Sequence, residues 1–190
     1  LVENIYTFQV DEIVNDYTLL YNLNDGNYSQ LWISKNKDNN IVMLKIFNKN
    51  DDNFTAYKDE FVILDYLQTI DSNREYVCSI IDHFIVNKGF LIPVIVLEYL
   101  GPDIFNLIDI PKNDKLFPIN FTKIIMRQII KIISYLHKQC KIIHTDIKPE
   151  NFLFVPDISY IIKIGELFRK NYPPNIIDKK LQKINDKFIE

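Results

Sequence analysis

A carboxylate, an ammonium group and a carboxamide stand close together at Asp146, Lys148 and Asn151, with Pro149 between the last two. In the order His144-Thr145-Asp146-Ile147-Lys148-Pro149-Glu150-Asn151 these groups suit one kind of chemistry. Asp146 can accept the proton of an attacking hydroxyl, Lys148 can neutralise a phosphate in transfer, and Asn151 can hold a metal ion on the far side of the same turn. His144 is expected to be a core histidine that braces this loop and not a base. His83 and His137 read as structural, and the three histidines and two cysteines show no metal-ligand spacing.

The loop needs elements to position it, and the pattern supplies them. Phe121 to Lys138, just before it, carries Ile124, Ile125, Ile129, Ile132, Ile133 and Leu136, a broad apolar stripe at helical spacing. Upstream, residues 17 to 50 read as three strands, with turn clusters at Asn24 to Asn27 and Asn36 to Asn40. Phe54 to Gln68 is expected to be a helix with Phe61, Ile63, Leu64 and Leu67 on one face, and two more strands are expected around Val77 to Phe84 and Phe90 to Leu97. After the loop, Phe152 to Val155 and Ile161 to Ile164 read as a short hairpin through Pro156-Asp157. Tyr172-Pro-Pro-Asn175 breaks the pattern, and Ile176 to Ile189 reads as a terminal helix. Five antiparallel strands with one helix, then a mostly helical part, make an α+β plan in two lobes.

Composition narrows the function classes. At 190 residues, with 47% hydrophobic and 25% charged residues, the chain can bury a core and does not have the composition of a disordered protein. A net charge of -3 offers no broad attraction to nucleic acid, so no direct nucleic-acid partner is expected. Runs such as Phe90 to Leu97 are too short to span a bilayer, so no membrane partner is expected either. Cys78 and Cys140 are too few for a disulfide framework, which suits an intracellular location, cytoplasmic or nuclear. No leader segment is visible, and Leu1 in place of Met suits a fragment or a processed piece.

From about Tyr17 to Phe168 the chain resembles a eukaryotic-type protein kinase. Within that family it is most similar to the SR-protein kinases and their LAMMER-type (CDC-like) cousins. The resemblance rests on H-T-D-I-K-P-E-N at residues 144 to 151 and on Leu23-Asn-Asp-Gly-Asn-Tyr-Ser-Gln-Leu-Trp32, similar to the family's L-G-W-G-H-F-S-T-V-W. Val10 to Tyr17 is a looser echo of the segment leading into that fold. The resemblance implies a bilobal protein-kinase-like fold: residues 1–16 an N-terminal extension, 17–100 the N-lobe with a five-stranded antiparallel sheet and one helix, 101–168 an incomplete, mostly helical C-lobe, and 169–190 a tail or the start of an insert. It implies ATP and Mg²⁺ as cofactors and a protein substrate, with an Arg/Ser-rich one suggested by the subgroup. Leu23, Asn24, Asp25, Gly26, Asn27, Tyr28, Ser29, Gln30 and Leu31 would form the loop over the ATP phosphates. Lys45 would pair with those phosphates and with Glu60, and the backbone at Glu98 and Leu100 would meet adenine. Asp146 and Lys148 would be catalytic, and Asn151 a metal ligand.

Each assignment has a plainer alternative. The loop could be an ordinary hairpin turn, since only Gly26 survives of the three usual glycines. Lys45 could be an edge-strand lysine facing water, and Asp59 competes with Glu60. An apolar strand ending at Gly101 resembles the segment around Glu98 equally well, and Asp103 suits a ribose contact or a helix cap. The family's second metal motif, D-x-G, aligns with Glu166-Leu167-Phe168, so Glu166 is the candidate second metal ligand although its carboxylate reaches about one methylene further than an aspartate. The competing explanation is a family-type insert beginning near Pro156, with the metal motif beyond Glu190. Thr145 removes the arginine that would read an activation-loop phosphate, so a phosphorylation switch is not expected. The expected function is ATP-dependent serine/threonine protein kinase. Its rival is a pseudokinase, a nucleotide-binding or inert scaffold that regulates a partner; a small-molecule kinase is the weaker third reading, since K-P-E-N suits protein substrates.

Overall fold

The structure is a computed structural model, and it describes residues 6–26, 28–48, 51–70, 76–105, 119–170 and 174–187. The chain divides into two compact units, Leu1–Tyr99 and Leu100–Glu190.

The first unit is built on a six-stranded antiparallel sheet in the order β1-β2-β3-β4-β6-β5. Its strands are β1 (Ile13–Val14), β2 (Tyr17–Asp25), β3 (Ser29–Lys35), β4 (Ile41–Phe47), β5 (Ile80–Asn87) and β6 (Leu91–Glu98). The sixth strand is the short β1, which pairs Val14 with Tyr17 across a tight turn. Asn15 enters that turn at φ 55°, a conformation that Asn tolerates better than most residues. β5 and β6 start and end slightly later than the sequence suggests because the hairpin turns at Lys88-Gly89. Gly89 sits at φ 84° and its N–H is held by Asn87 Oδ1 at 3.0 Å.

Alternation of side chains along the strands gives the sheet two buried faces. Val42, Leu44 and Ile46 of β4 and Ile92, Val94 and Val96 of β6 share one cluster with Leu19 and Trp32. Phe8 is buried in the same cluster and Tyr6 packs against it, so residues expected to be an extension are part of this core. On the other face Phe47 and Ile95 meet Tyr57 of α1 (Asp51–Ile70), with Phe61, Ile80 and Leu97 around them. α1 extends past Phe54 to Gln68 at both ends, and its inward side uses Tyr57 and Leu67, while Ile63 is exposed.

The second unit contains α2 (Ile119–Lys138), a 3₁₀ turn (Pro149–Asn151), α3 (Ile158–Arg169) and α4 (Pro174–Lys187). The hairpin expected over 152–164 is not formed. Leu153 makes an isolated antiparallel bridge to Asp103, and Ile161 to Ile164 lie inside α3. Helix wins because Ile164 and Leu167 fall one turn apart and are both buried, as is Ile177 of α4. Asp157, read as a turn residue, stands just before the helix and its carbonyl accepts the Ile161 N–H at 3.4 Å. In α2 only Leu136 is buried; Ile124, Met126 and Ile130 are exposed. Among the described residues no helix is long and apolar enough to cross a membrane.

Candidate active site

The β2–β3 hairpin carries the glycine loop. Its pairing runs out to Asp25 opposite Gln30, so Gly26 and Tyr28 belong to the tip. A Cβ at Gly26 would lie 2.9 Å from the Ser29 carbonyl oxygen, so the tip closes only around glycine. Leu23, Asn24 and Tyr28 are exposed, Ser29 and Leu31 half-buried, and Gln30 buried; Asn27 lies outside the described residues. Asn24 donates its backbone N–H to Asn22 Oδ1 at 3.0 Å, which fixes the strand just before the tip.

Lys45 is not an edge lysine. It lies opposite Leu31 of β3 and Ile95 of β6, in a strand flanked on both sides. Its Nζ donates to both Glu60 oxygens, at 2.7 and 2.5 Å, and stands 5.3 Å from the centre of the Phe47 ring. Asp59 therefore loses the competition for this partner. A lysine in an apolar strand is unfavourable without such a counter-charge. Both side chains remain about a quarter to a third exposed, so the pair can still be reached.

Glu98 ends β6. Its N–H donates to Ser79 O at 3.0 Å, and its side chain accepts the Ser79 N–H at 2.7 Å. Cys78, beside it, has its thiol pushed up to about 12 by burial first and then by the negative charges of Glu98 and Glu60. Leu100 opens the second unit and is half-buried. Beyond it the Gly101 N–H donates to Phe154 O at 2.8 Å, and a Cβ at Gly101 would come within 2.9 Å of that oxygen. The 101–104 segment is thereby laced to 152–154, with Ile104 N–H on Phe152 O and Phe154 N–H on Pro102 O. Asp103 lies in this lacing.

In the second unit Asp146, Lys148 and Asn151 do converge. Lys148 Nζ lies 2.8 Å from Asp146 Oδ2, and Asn151 Nδ2 donates to the same oxygen at 3.0 Å and to the Asp146 carbonyl at 2.7 Å. The hydrogen bonds from Lys148 and Asn151 hold the Asp146 carboxyl below its ordinary value, and the Asp146 partner raises Lys148. Both groups are therefore charged at neutral pH. His144 is half-buried, stacks on buried Phe152 and accepts the Asp146 N–H on Nδ1 at 3.3 Å, which is a bracing role. Thr145 between them is held at φ 63°. His83 accepts or donates at Tyr57 Oη across 3.1 Å within the first unit.

Glu166 is exposed on α3, where the expected strand and turn are absent. Among the described residues no three His, Cys, Asp or Glu side chains converge on a metal site. One residue near the glycine loop gave no signal in the sequence at all. Asn48, one position after β4, donates its amide to Gly26 O at 3.0 Å and its backbone N–H to Tyr28 O at 2.9 Å.

Residues 17–167 match the family described as Protein kinase domain. The chain belongs to the protein kinase family. It is 32% identical over 164 residues to Serine/threonine-protein kinase SKY1 of Saccharomyces cerevisiae, which covers 81% of this chain and 22% of that protein. SRSF protein kinase 3 of Mus musculus is 31% identical over 166 residues, 84% of this chain and 29% of the relative. Serine/threonine-protein kinase SRPK of Physarum polycephalum is 32% identical over 143 residues, 73% of this chain and 33% of the relative. This kinase chain thus spans about a fifth to a third of the length of these relatives. A solved kinase domain has the same fold, with a TM-score of 0.71 at 23% identity over 80% of this chain and 43% of its own.

Proposed function

We propose that this kinase chain carries the nucleotide-binding and phosphoryl-transfer residues of an SR-protein-kinase-type serine/threonine kinase, which moves the ATP γ-phosphate to a Ser or Thr hydroxyl of a protein substrate. The observation that carries the reading is the pairing of Lys45 with Glu60 across fifteen residues, because a scaffold without phosphates to position has no need of a lysine held that way. Names of the relatives favour an Arg/Ser-rich substrate, and the intracellular setting, cytoplasmic or nuclear, follows the same resemblance.

In this mechanism the loop from Leu23 to Leu31 covers the phosphates, Lys45 meets them, and the Glu98 and Leu100 backbone receives adenine. Asp146 is ionised at neutral pH and takes the proton of the substrate hydroxyl, and Lys148 balances the charge that builds on the transferring group. Asn151 would offer one hard oxygen to a divalent cation, Oδ1, since its Nδ2 is engaged by Asp146. Mg²⁺ bound there would neutralise phosphate charge.

Calorimetry with Mg·ATP tests the reading, followed by transfer of labelled phosphate to an Arg/Ser-repeat peptide. Binding that requires Mg²⁺ and is lost in Lys45→Ala, with transfer lost in Asp146→Asn, is the expected result. The Glu166→Ala variant is expected to keep Mg²⁺-dependent binding, since a helix replaces the turn the metal motif needs. Loss of binding in that variant would return Glu166 to the metal site. Metal-independent binding, or binding without transfer, would favour the pseudokinase reading.

A further inference from the structure

The buried polar groups of the first unit form a chain that ends at the glycine loop. Gln30 of β3 is only 6% exposed, and its side chain is fully engaged. Its Oε1 accepts the Trp32 indole N–H at 3.0 Å, and its Nε2 donates to Tyr6 O at 3.3 Å and to Asn48 Oδ1 at 3.5 Å. Asn48 passes the chain on, donating Nδ2 to Gly26 O. Its own carbonyl accepts from Asn53 Nδ2 at 3.2 Å, and Asn53 is buried in the first turn of α1. The start of the chain is anchored as well. Tyr6 Oη donates to Glu12 Oε1 at 3.0 Å, and Lys88 Nζ lies 2.7 Å from the same oxygen.

We propose that Asn48 is a positioning residue for the glycine loop, the last link of a hydrogen-bonded relay from the Tyr6 carbonyl through Gln30 to the Gly26 carbonyl. This rests on the nucleotide-site reading above. The backbone at Gly26 passes so near the Ser29 carbonyl that a Cβ there would lie 2.9 Å from it, so a donor on the Gly26 carbonyl holds the hairpin at its closest approach to a phosphate. Backbone N–H groups are what a phosphate meets in such a loop. Asn48 also lies three residues after Lys45, and Asn53 seven before Glu60 on the same helix. The loop, the lysine and the helix carrying its partner therefore share one hydrogen-bonded frame, and the 6–12 segment supports it from outside the hairpin.

The relay acts on phosphates and not on adenine, which gives a readout that a general loss of stability would not reproduce. The experiment is calorimetry on the unsubstituted chain and on Asn48→Leu, each with Mg·ATP and separately with adenosine. The variant is expected to bind Mg·ATP about tenfold more weakly, the scale of one hydrogen bond that stays unmade, and adenosine as before. Equal weakening of both ligands, or undiminished Mg·ATP affinity, would overturn the relay while leaving the kinase reading in place. Failure of the unsubstituted chain to bind Mg·ATP would overturn both. If Asn48→Leu does not fold, Asn48→Ser, which is too short to reach Gly26, gives the same comparison.

Discussion

The two units of this kinase chain position their functional side chains by opposite means. In the first, Leu44, Ile95 and Val96 are completely buried, the sheet is covered on both faces, and Lys45 stands on a strand held by two neighbours. In the second, Asp146, Lys148 and Asn151 are all exposed and are held chiefly by one another. Around them Ile119, Ile124 and Ile130 of α2 and Ile143 and Val155 of the loops are exposed. Lys45 and Glu60 thus sit in a frame, and Asp146, Lys148 and Asn151 sit in a self-braced loop.

The largest effects follow from burial. Leu44→Ala removes a fully buried side chain from the sheet core and is expected to cost about 2–5 kcal/mol in urea unfolding. Ile130→Ala, at a position 61% exposed, is expected to change stability by no more than about 0.5 kcal/mol. Similar losses in the two variants would erase the contrast and mean that α2 is packed against something in solution.

Thiol labelling sharpens the same contrast without any mutation. Cys78 belongs to the framed unit and Cys140, only 1% exposed, to the open one. Both should resist alkylation in the native protein, Cys78 doubly so because its thiol is pushed up to about 12 and stays protonated. With rising denaturant Cys140 is expected to label first, because a unit with few buried apolar residues opens at lower free energy. Simultaneous labelling in a pulse experiment would show one cooperative unit instead of two.

Part of the acid limb of stability should come from the first unit. Burial pushes the Glu12 carboxyl up, but hydrogen bonds from Lys88, the Gln9 N–H and Tyr6, with the charge of Lys88, outweigh it and leave the group below its ordinary 4.5. A carboxyl lowered by folding stabilises the fold above 4.5, and that stabilisation fades as pH falls through its folded value. Glu12→Gln is therefore expected to lose on the order of 1 kcal/mol near neutral pH and to flatten the decline below pH 4.5. Overlapping acid limbs for the two proteins would mean that the Tyr6–Glu12–Lys88 anchor is not what acid dissolves.

How much of this was legible depended on the period of the signal. Strands β2 to β4 are apolar runs separated by polar turn clusters, so the hairpins could be placed from the pattern, while the loop, Lys45 and the 144–151 cluster were placed by resemblance to family motifs. The α3 region misled because Ile158, Tyr160, Ile161 and Ile162 are β-branched or aromatic, and the short run reads equally as strand or helix until Ile164 and Leu167 are known to be buried together. β1 is two residues long, below any periodicity. Asn48 was invisible because its role lies in a hydrogen bond to a backbone carbonyl 22 residues away, which no local pattern encodes.

The smallest effect should come from the tightest point of the loop over residues 144–151. The Asp146 N–H donates to His144 O at 2.8 Å, a bond spanning two residues, and Thr145 at its centre has φ 63°. That is the signature of a γ-turn, which is strained for a β-branched residue. Glycine would relieve roughly 1–2 kcal/mol of left-handed strain and lose about 0.5–1 kcal/mol through a freer unfolded chain. Thr145→Gly is thus expected to raise stability by about 1 kcal/mol or less, measured by urea unfolding. Its value lies in separating the two units. Because the turn orients only Asp146 and its partners, Mg·ATP affinity should stay unchanged while the phosphate-transfer rate falls. A parallel loss of nucleotide affinity would show that the self-braced loop also governs the framed site, and the division between the two units would fail.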